Sequence, residues 1–190
     1  MDMKKVIFIH GYTSSPKKNK YQLISQELDR LGIDYSIPAF PGGEYPHSDE
    51  WLEVIDKEVK NTTKPVILVG HSLGTRAAIL YLDRFERKVD TVILIAAFNN
   101  NFEKNKKRRD GNYADFFDYA LNMGKVKELA DRFIVIHSKD DDSIDCQQGV
   151  DISNELGAEL RIHENMGHFS GEEKAEENAK YFLEIVKSVL

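Results

Sequence analysis

Short runs of apolar, β-branched residues recur along the chain, and they constrain its fold more than any other feature. Four strong runs lie at residues 6–9, 66–69, 92–95 and 133–136. Runs of this length and composition are typical of strands buried on both faces of a sheet. Weaker runs lie at residues 33–37 and 158–162, and the second of these is polar enough to sit near a sheet edge. The sequence therefore predicts six strands.

Helical patterns fill the intervals between these runs, because apolar residues recur there every three or four positions. Residues 73–85 form one such pattern and residues 172–189 another, and Gly32 fits the C-terminal stop of the first helix. Strands that alternate with helices predict parallel pairing and right-handed crossovers. The predicted fold class is α/β, a three-layer sandwich with a six-stranded, mostly parallel sheet in a single domain over residues 1–190. Its helical faces are marked by Tyr21, Ile24, Leu28 and Leu31, by Trp51, Ile55 and Val59, and by Ala175, Ala179, Phe182, Val186 and Val189.

Composition narrows the classes of partner. The formal net charge of -6 opposes binding to phosphate backbones, and the basic cluster at residues 104–109 lacks the interleaved aromatic residues that stack on bases. Cys146 is the only cysteine, so an intrachain disulfide and a cysteine-based metal site are excluded. Four apolar residues after Lys4 and Lys5 are too few for a signal-peptide core or a membrane span. We expect a cytoplasmic protein that binds neither nucleic acid nor membrane, and its oligomeric state is left open.

The residues that follow the strands are the first candidates for a site, since ligands bind beyond the carboxyl ends of strands in an open parallel sheet. Gly70-His71-Ser72-Leu73-Gly74 has the Gly-x-Ser-x-Gly pattern, directly after one predicted strand and before a predicted helix. In that context a Cβ on either glycine would collide with a neighbouring strand or helix. The pattern predicts a nucleophile elbow with Ser72 as nucleophile and with His71 pointing away from it. The alternative is a glycine-rich turn with an incidental serine.

A serine hydroxyl needs a base within hydrogen-bond reach, and histidine has the pKa for that task. His168 lies in a glycine-containing loop between the last strand and the last helix, so its ring can reach over Ser72. It is the predicted general base among six histidines. Asp140, Asp141 and Asp142 follow the fourth strong run, and one of them is expected to orient the imidazole. The order Ser, Asp, His along the chain is the order that α/β-hydrolases use.

Two backbone N–H groups are expected to stabilise the negative charge of a tetrahedral intermediate. Leu73 follows the nucleophile and Tyr12 follows the first strand, so these two residues are the predicted donors of an oxyanion hole. Gly11 is predicted to let the chain turn tightly enough for the Tyr12 amide to face inward. The alternative for His10-Gly11 is a plain turn at the end of a strand.

These stretches together resemble the small α/β-hydrolases related to retinoblastoma-binding protein nine, over nearly the entire chain. The resemblance implies a compact fold without a large cap domain, a Ser-Asp-His triad, and esterase-like or peptidase-like activity on small substrates. It places the acid at Asp141, although Asp145 stands where the family usually has proline. The residues that carry it are Val6-Ile7-Phe8-Ile9-His10-Gly11, Phe40-Pro41, Trp51, Gly70-His71-Ser72-Leu73-Gly74, Ser138-Lys139-Asp140-Asp141 and Gly167-His168-Phe169.

The predicted function is therefore that of a serine hydrolase that cleaves a small ester, thioester or amide through an acyl-enzyme, with no cofactor or metal. The acidic cluster at residues 140–145 lacks the ligand spacing of an EF-hand, so a metal site is the weaker interpretation. A catalytically silent protein-binding module with the same fold is the other alternative. Residues 98–123 are predicted to cover the site as a small lid, with Phe116 and Phe117 lining an acyl pocket.

Overall fold

The computed structural model describes residues 4–99, 111–118 and 120–190, and these residues form a six-stranded sheet. The strand order is β2-β1-β3-β4-β5-β6, and every neighbouring pair is parallel. The predicted α/β fold class is confirmed, and the two weaker strand candidates are the two edge strands. The strands are β1 (Lys5–Ile9), β2 (Asp34–Ser36), β3 (Val66–His71), β4 (Val89–Ile95), β5 (Ala130–Ser138) and β6 (Glu159–His163).

Helices cover both faces of the sheet. One face carries α1 (Asn19–Leu31) and α6 (Ala175–Lys187). The other face carries α2 (Ser48–Lys60), α3 (Leu73–Phe85), α4 (Met123–Lys127) and α5 (Cys146–Leu156). The sequence did not predict α5, and the predicted last helix begins with a separate 3₁₀ turn at Glu172–Lys174.

Alternate residues of β1, β3, β4 and β5 pack into two different cores, as the pleat of a strand requires. In β1, Val6 and Phe8 face the core under α1 and α6, whereas Ile7 and Ile9 face the core under α2 and α3. All four side chains are at most 1% exposed. This burial on both faces explains why the strands appear in the sequence as continuous apolar runs.

The end of α1 contains one confirmed and one wrong prediction. Gly32 has φ 66°, and its N–H contacts the carbonyls of Asp29 and Leu28, so it ends the helix as predicted. Leu31 was assigned to the buried face of α1, but it is 39% exposed. The reason is that the next element, β2, is an edge strand of three residues and covers little of the last helical turn.

The direction of the strand order reverses between β1 and β3. The chain leaves β1 toward β2 through α1 on one face, and it leaves β3 toward β4 through α3 on the other face. The loops after β1 and β3 therefore diverge and leave a crevice between them, which is where open α/β sheets bind ligands. Ser72 follows β3 and Gly11 follows β1 at this crevice.

No helix in the described ranges is long and apolar enough to cross a bilayer. The cytoplasmic location expected from the sequence stays a prediction.

Candidate active site

Ser72 lies in a sharp turn between β3 and α3. Its backbone has φ 55° and ψ -122°, a conformation that residues with a side chain rarely adopt. A Cβ on Gly70 would lie 2.7 Å from the carbonyl oxygen of Gly74, and a Cβ on Gly74 would lie 2.0 Å from that of Ile9. Moving either of these backbone segments away would cost considerable free energy. The turn thus has the strain and the crowding that the Gly-x-Ser-x-Gly pattern predicts.

His168 lies directly over this turn. Its Nε2 is 3.0 Å from the Oγ of Ser72, and its Nδ1 is 2.9 Å from Oδ2 and 3.1 Å from Oδ1 of Asp141. Gly167 has φ 55°, which lets the loop after β6 turn the ring toward the serine. The structure therefore brings the predicted nucleophile, base and acid into one hydrogen-bonded row.

Asp141 sits in a closed environment behind the imidazole. Its carboxylate has no exposed surface, and Oδ1 accepts hydrogen bonds from the N–H groups of Ser143 and Ile144, both at 2.9 Å. Oδ2 lies 3.4 Å from Nε2 of His137, which is itself fully buried. Burial alone raises the pKa of Asp141, but hydrogen bonds from His137 and His168 outweigh it and hold that pKa far below its usual range. The carboxylate is therefore ionised and fixed in place.

The acidic neighbours of Asp141 have other partners. Asp140 accepts hydrogen bonds from the Ser138 hydroxyl and, at 2.8 Å, from the N–H of Gly167. Asp145 caps the N-terminus of α5, and Asp142 contacts the hydroxyl of the serine that follows it. Within the described parts of the chain, no group of three histidine, cysteine or acidic side chains is arranged to hold a metal ion. The acidic loop is thus accounted for by turn and cap hydrogen bonds.

Comparisons with known proteins identify the family. The model of the serine hydrolase family matches residues 6–181. The chain belongs to this family. This serine hydrolase is 24% identical over 172 residues to YdeN of Bacillus subtilis, a protein that is named as a hydrolase. The match covers 90% of this chain and 88% of YdeN. The narrower relation to retinoblastoma-binding protein nine stays a prediction.

Solved structures of hydrolases share the fold of this serine hydrolase. The crystal structure of the ydeN product of B. subtilis has a TM-score of 0.83 at 23% identity, with 98% of each chain covered. Est1E from Butyrivibrio proteoclasticus has a TM-score of 0.71 at 16% identity, and 98% of this chain and 89% of Est1E are covered. Monoacylglycerol lipase from Paleococcus ferrophilus has a TM-score of 0.71 at 16% identity, with 98% and 95% covered. These likenesses establish the α/β-hydrolase fold.

His71 points away from Ser72 and supports the loop of His168. Its Nε2 lies 2.8 Å from the carbonyl oxygen of His168, so the ring donates that hydrogen bond, and the ring packs against Phe182 of α6. Burial lowers the pKa of His71 well below its usual value, and the nearby charges of Lys20 and His168 lower it further. His71 is therefore neutral and acts as a fixed donor behind the elbow.

The loop after β1 lies against the elbow. A tight turn begins at Gly11, because the N–H of Ser14 donates a hydrogen bond to its carbonyl at 3.2 Å, and the positive φ in this turn, 52°, is at Thr13. A Cβ on Gly11 would lie 3.1 Å from the Cβ of Ser72, so a side chain at this position would be crowded against Ser72. That Gly11 turns the Tyr12 amide inward stays a prediction. The N–H groups of Tyr12 and Leu73 have no acceptor within the described ranges.

A cavity of about 330 Å³ opens beside Ser72. Its walls come from the loop after β1, the first turn of α1 and the loop between β6 and α6. Phe116 and Phe117 are 0% and 2% exposed and pack in the core with Trp51 and Phe98, so the prediction that they line an acyl pocket is wrong for this cavity.

One described part of the predicted lid does reach the rim of the cavity. The ring of Tyr113 lies 4.7 Å from that of Tyr12, and Asn112 donates a hydrogen bond to the Tyr12 hydroxyl at 3.2 Å. Residues 100–110 and residue 119 of the predicted lid lie outside the described residues. The lid therefore stays a prediction.

Two residues of the site were missed in the sequence. Lys20 lies in the first turn of α1 and lines the cavity, although it is only 8% exposed. Its place four residues before Ile24 on the buried face of α1 was a signal for burial. His137 directly follows an apolar run and stands four residues before Asp141, but nothing in the sequence marks the contact between their side chains.

Proposed function

We propose that this serine hydrolase cleaves a small ester, thioester or amide through an acyl-enzyme on Ser72, with His168 as general base and Asp141 as the orienting acid. One observation carries the proposal. The row from Ser72 Oγ through the two ring nitrogens of His168 to Asp141 is continuous, with 3.0 Å at the first step and 2.9 Å at the second. Its serine end faces a cavity.

In the first half of the reaction, the Oγ of Ser72 attacks the substrate carbonyl carbon while its proton passes to Nε2 of His168. The carbonyl π pair moves to oxygen and forms an oxyanion. The free N–H groups of Tyr12 and Leu73 are the proposed donors to that oxyanion. When the intermediate collapses, the imidazolium gives its proton to the leaving alcohol, thiol or amine, and the acyl group remains on Ser72.

In the second half, water takes the place of the leaving group. His168 accepts a proton from water as the oxygen attacks the acyl carbon, and it returns a proton to Oγ of Ser72 as the carboxylic acid leaves. The imidazole alternates between neutral and charged forms in both halves. The low pKa of Asp141 keeps its carboxylate ionised, so the negative charge stabilises each imidazolium and fixes the tautomer with the proton on Nδ1.

The test compares the wild type with Ser72→Ala and His168→Ala, using p-nitrophenyl acetate and a fluorophosphonate probe. We expect the wild type to turn over the ester and to be labelled, and Ser72→Ala to do neither. His168→Ala should lose most activity while remaining folded, because it removes only the base. Ser188→Ala at the end of α6 and His47→Ala before α2 are matched controls that should keep full activity, since both lie outside the site.

Turnover at the wild-type rate in folded Ser72→Ala or His168→Ala would contradict the proposal. If the wild type neither hydrolyses esters, thioesters and amides nor reacts with the probe, the alternative of a silent protein-binding module is favoured.

A further inference from the structure

Lys20 is a buried lysine in the wall of the cavity, and it forms no ion pair with any of the described residues. Nζ of Lys20 donates a hydrogen bond to the carbonyl oxygen of Phe169 at 2.9 Å and lies 4.4 Å from the ring centre of Phe182 and 5.0 Å from that of Tyr21. Within the described residues, no carboxylate forms an ion pair with it. A buried ammonium group is costly unless it is paired, so this site lacks a counter-charge.

The acid that lies nearest in the cavity wall is already paired. Glu172 forms an ion pair with Lys18 at 3.4 Å, and both side chains are more than half exposed, at 59% and 51%. A pair of this kind is strongly screened by water. Glu172 raises the pKa of Lys20 from a distance, but burial lowers that pKa by more, so Glu172 does not supply a full counter-charge.

The other titratable groups that face Lys20 are neutral. They are Tyr21 on the same helix, His10 after β1 and His71 at the end of β3. Burial lowers the pKa of both histidines and raises the pKa of the tyrosine, so none of the three carries charge near neutral pH. When it is protonated, Lys20 therefore adds a positive charge to this wall beside the screened pair at the rim.

The cavity holds a small ligand group. Thr13, Ser14 and Ser170 belong to its lining together with Lys20, and its volume is about 330 Å³. A substrate that fills it without an anionic group would leave a protonated Lys20 without a counter-charge, which is unfavourable.

We propose that this cavity selects substrates with a carboxylate near the scissile bond, and that Lys20 is the specificity-determining cation that binds it. The inference rests on the proposed function, because it names the substrate class of the same site. A bound carboxylate would provide the missing counter-charge in a desolvated position, where an ion pair is much stronger than at the surface. Lys20 carries this charge mainly below pH 7, because burial lowers its pKa to about 7.

The test uses two matched pairs of esters, because the carboxylate can lie on the acyl side or on the leaving-group side. The first pair is mono-p-nitrophenyl adipate and the p-nitrophenyl ester of adipic acid monoamide. The second is 3-acetoxybenzoate and 3-acetoxybenzamide. Within each pair the members have nearly the same shape and differ in charge. Rates are measured at pH 6.5 above a Ser72→Ala blank, which removes spontaneous hydrolysis.

We expect kcat/KM of the wild type to favour the charged member of at least one pair by about tenfold or more. Lys20→Met should reduce that ratio to near one, and Lys20→Arg should retain part of it. Lys17→Met is the matched control, because this neighbouring lysine is exposed and does not belong to the cavity lining, and it should leave the ratio nearly unchanged. A loss common to both members of a pair reports the hydrogen bond from Lys20 to Phe169, so the ratio alone reports recognition of charge.

The proposal is overturned if the wild type has no preference for the charged member of either pair, or if a preference survives Lys20→Met. Should Lys20→Met not fold, the wild type decides the matter, since adipate but not adipamide should then inhibit hydrolysis of the neutral ester. Failure of the proposed function looks different, because the neutral esters too would then be hydrolysed no faster by the wild type than by the Ser72→Ala blank.

Discussion

The three consecutive aspartates at positions 140–142 have three different environments. The side chain of Asp141 is buried and bound to His168, and Asp140 accepts a hydrogen bond from the N–H of Gly167. Asp142 is exposed and accepts a hydrogen bond from the hydroxyl of Ser143. The position of the carboxylate, and not its intrinsic acidity, therefore decides which of them can orient the base.

Asp141→Asn is expected to lower kcat by about 10⁴-fold, because the amide no longer stabilises the imidazolium or the working tautomer. Asp142→Asn should have little effect. Asp140→Asn should have an intermediate effect, because it weakens the support of the loop that carries His168. Measuring the three variants with one activated ester checks this order, and a larger loss at Asp140 or Asp142 than at Asp141 would show that the acid is misassigned.

Lys20 should also make stability depend on pH. Its pKa is about 7 in the folded chain against 10.5 as an ordinary lysine, so between these values the unfolded chain binds more protons. Its contribution to the free energy of unfolding therefore increases as pH rises from 7 toward 10.

Lys20→Met removes this dependence. Relative to the variant, the wild type should gain about 2 kcal/mol between pH 7 and pH 9 in urea unfolding. Lys18→Met serves as the control and should follow the wild type. Equal pH slopes for Lys20→Met and the wild type would contradict the expectation.

At the scale of single elements, the strand-to-helix turn at Ser72 depends on backbone crowding. Gly74→Ala places a methyl group against the Ile9 carbonyl, at 2.0 Å before any relaxation, and should destabilise the fold by about 3 kcal/mol. Gly124→Ala in α4 is the matched control, because its nearest neighbour would lie 3.5 Å away. It should leave stability unchanged or slightly higher. Thermal unfolding of both variants measures the difference, and equal midpoints would rule out crowding as the reason for the glycine.

The elements differ in how far the sequence predicted them. The four strong strands were found because burial on both faces leaves continuous apolar runs. Helix α5 was missed because its buried face includes Gln148, Gly149 and Ser153, which blur the apolar period. Gly149 packs against His137, where a Cβ would lie 2.6 Å from Nδ1. The contact between Gly149 and His137 joins a helix to a strand, so no pattern of neighbouring residues in the sequence predicts it.

The residues of the candidate site also differ in how far the sequence predicted them. Ser72 and His168 were predicted because a short motif and its flanking elements define their positions. Lys20 was missed because its burial needs α1, α6 and the loop at Phe169 to come together, and its type is normally exposed. The close approach of Gly11 to Ser72 was not predicted, since it joins the loop after β1 to the turn after β3 and exists only in three dimensions.

On the scale of the whole molecule, the sheet has a protected centre and weaker edges. Strands β1, β3, β4 and β5 have neighbours on both sides, whereas β2 has three residues and the β6 residues are exposed or half-buried. Hydrogen exchange followed by mass spectrometry should therefore show slowest exchange in the four central strands and faster exchange in β2 and β6. Protection of β6 equal to that of β4 would contradict this picture.

Ser72 and its proposed base are 96 positions apart in the chain. A ribosome that adds about 5–20 residues per second makes the serine roughly ten seconds before the histidine. During that interval the nascent polypeptide contains the complete Gly-x-Ser-x-Gly motif, but the serine is an ordinary alcohol without a base. On the proposed mechanism, Ser72 therefore gains its base only after the loop that follows β6 has been synthesised and has folded over the turn.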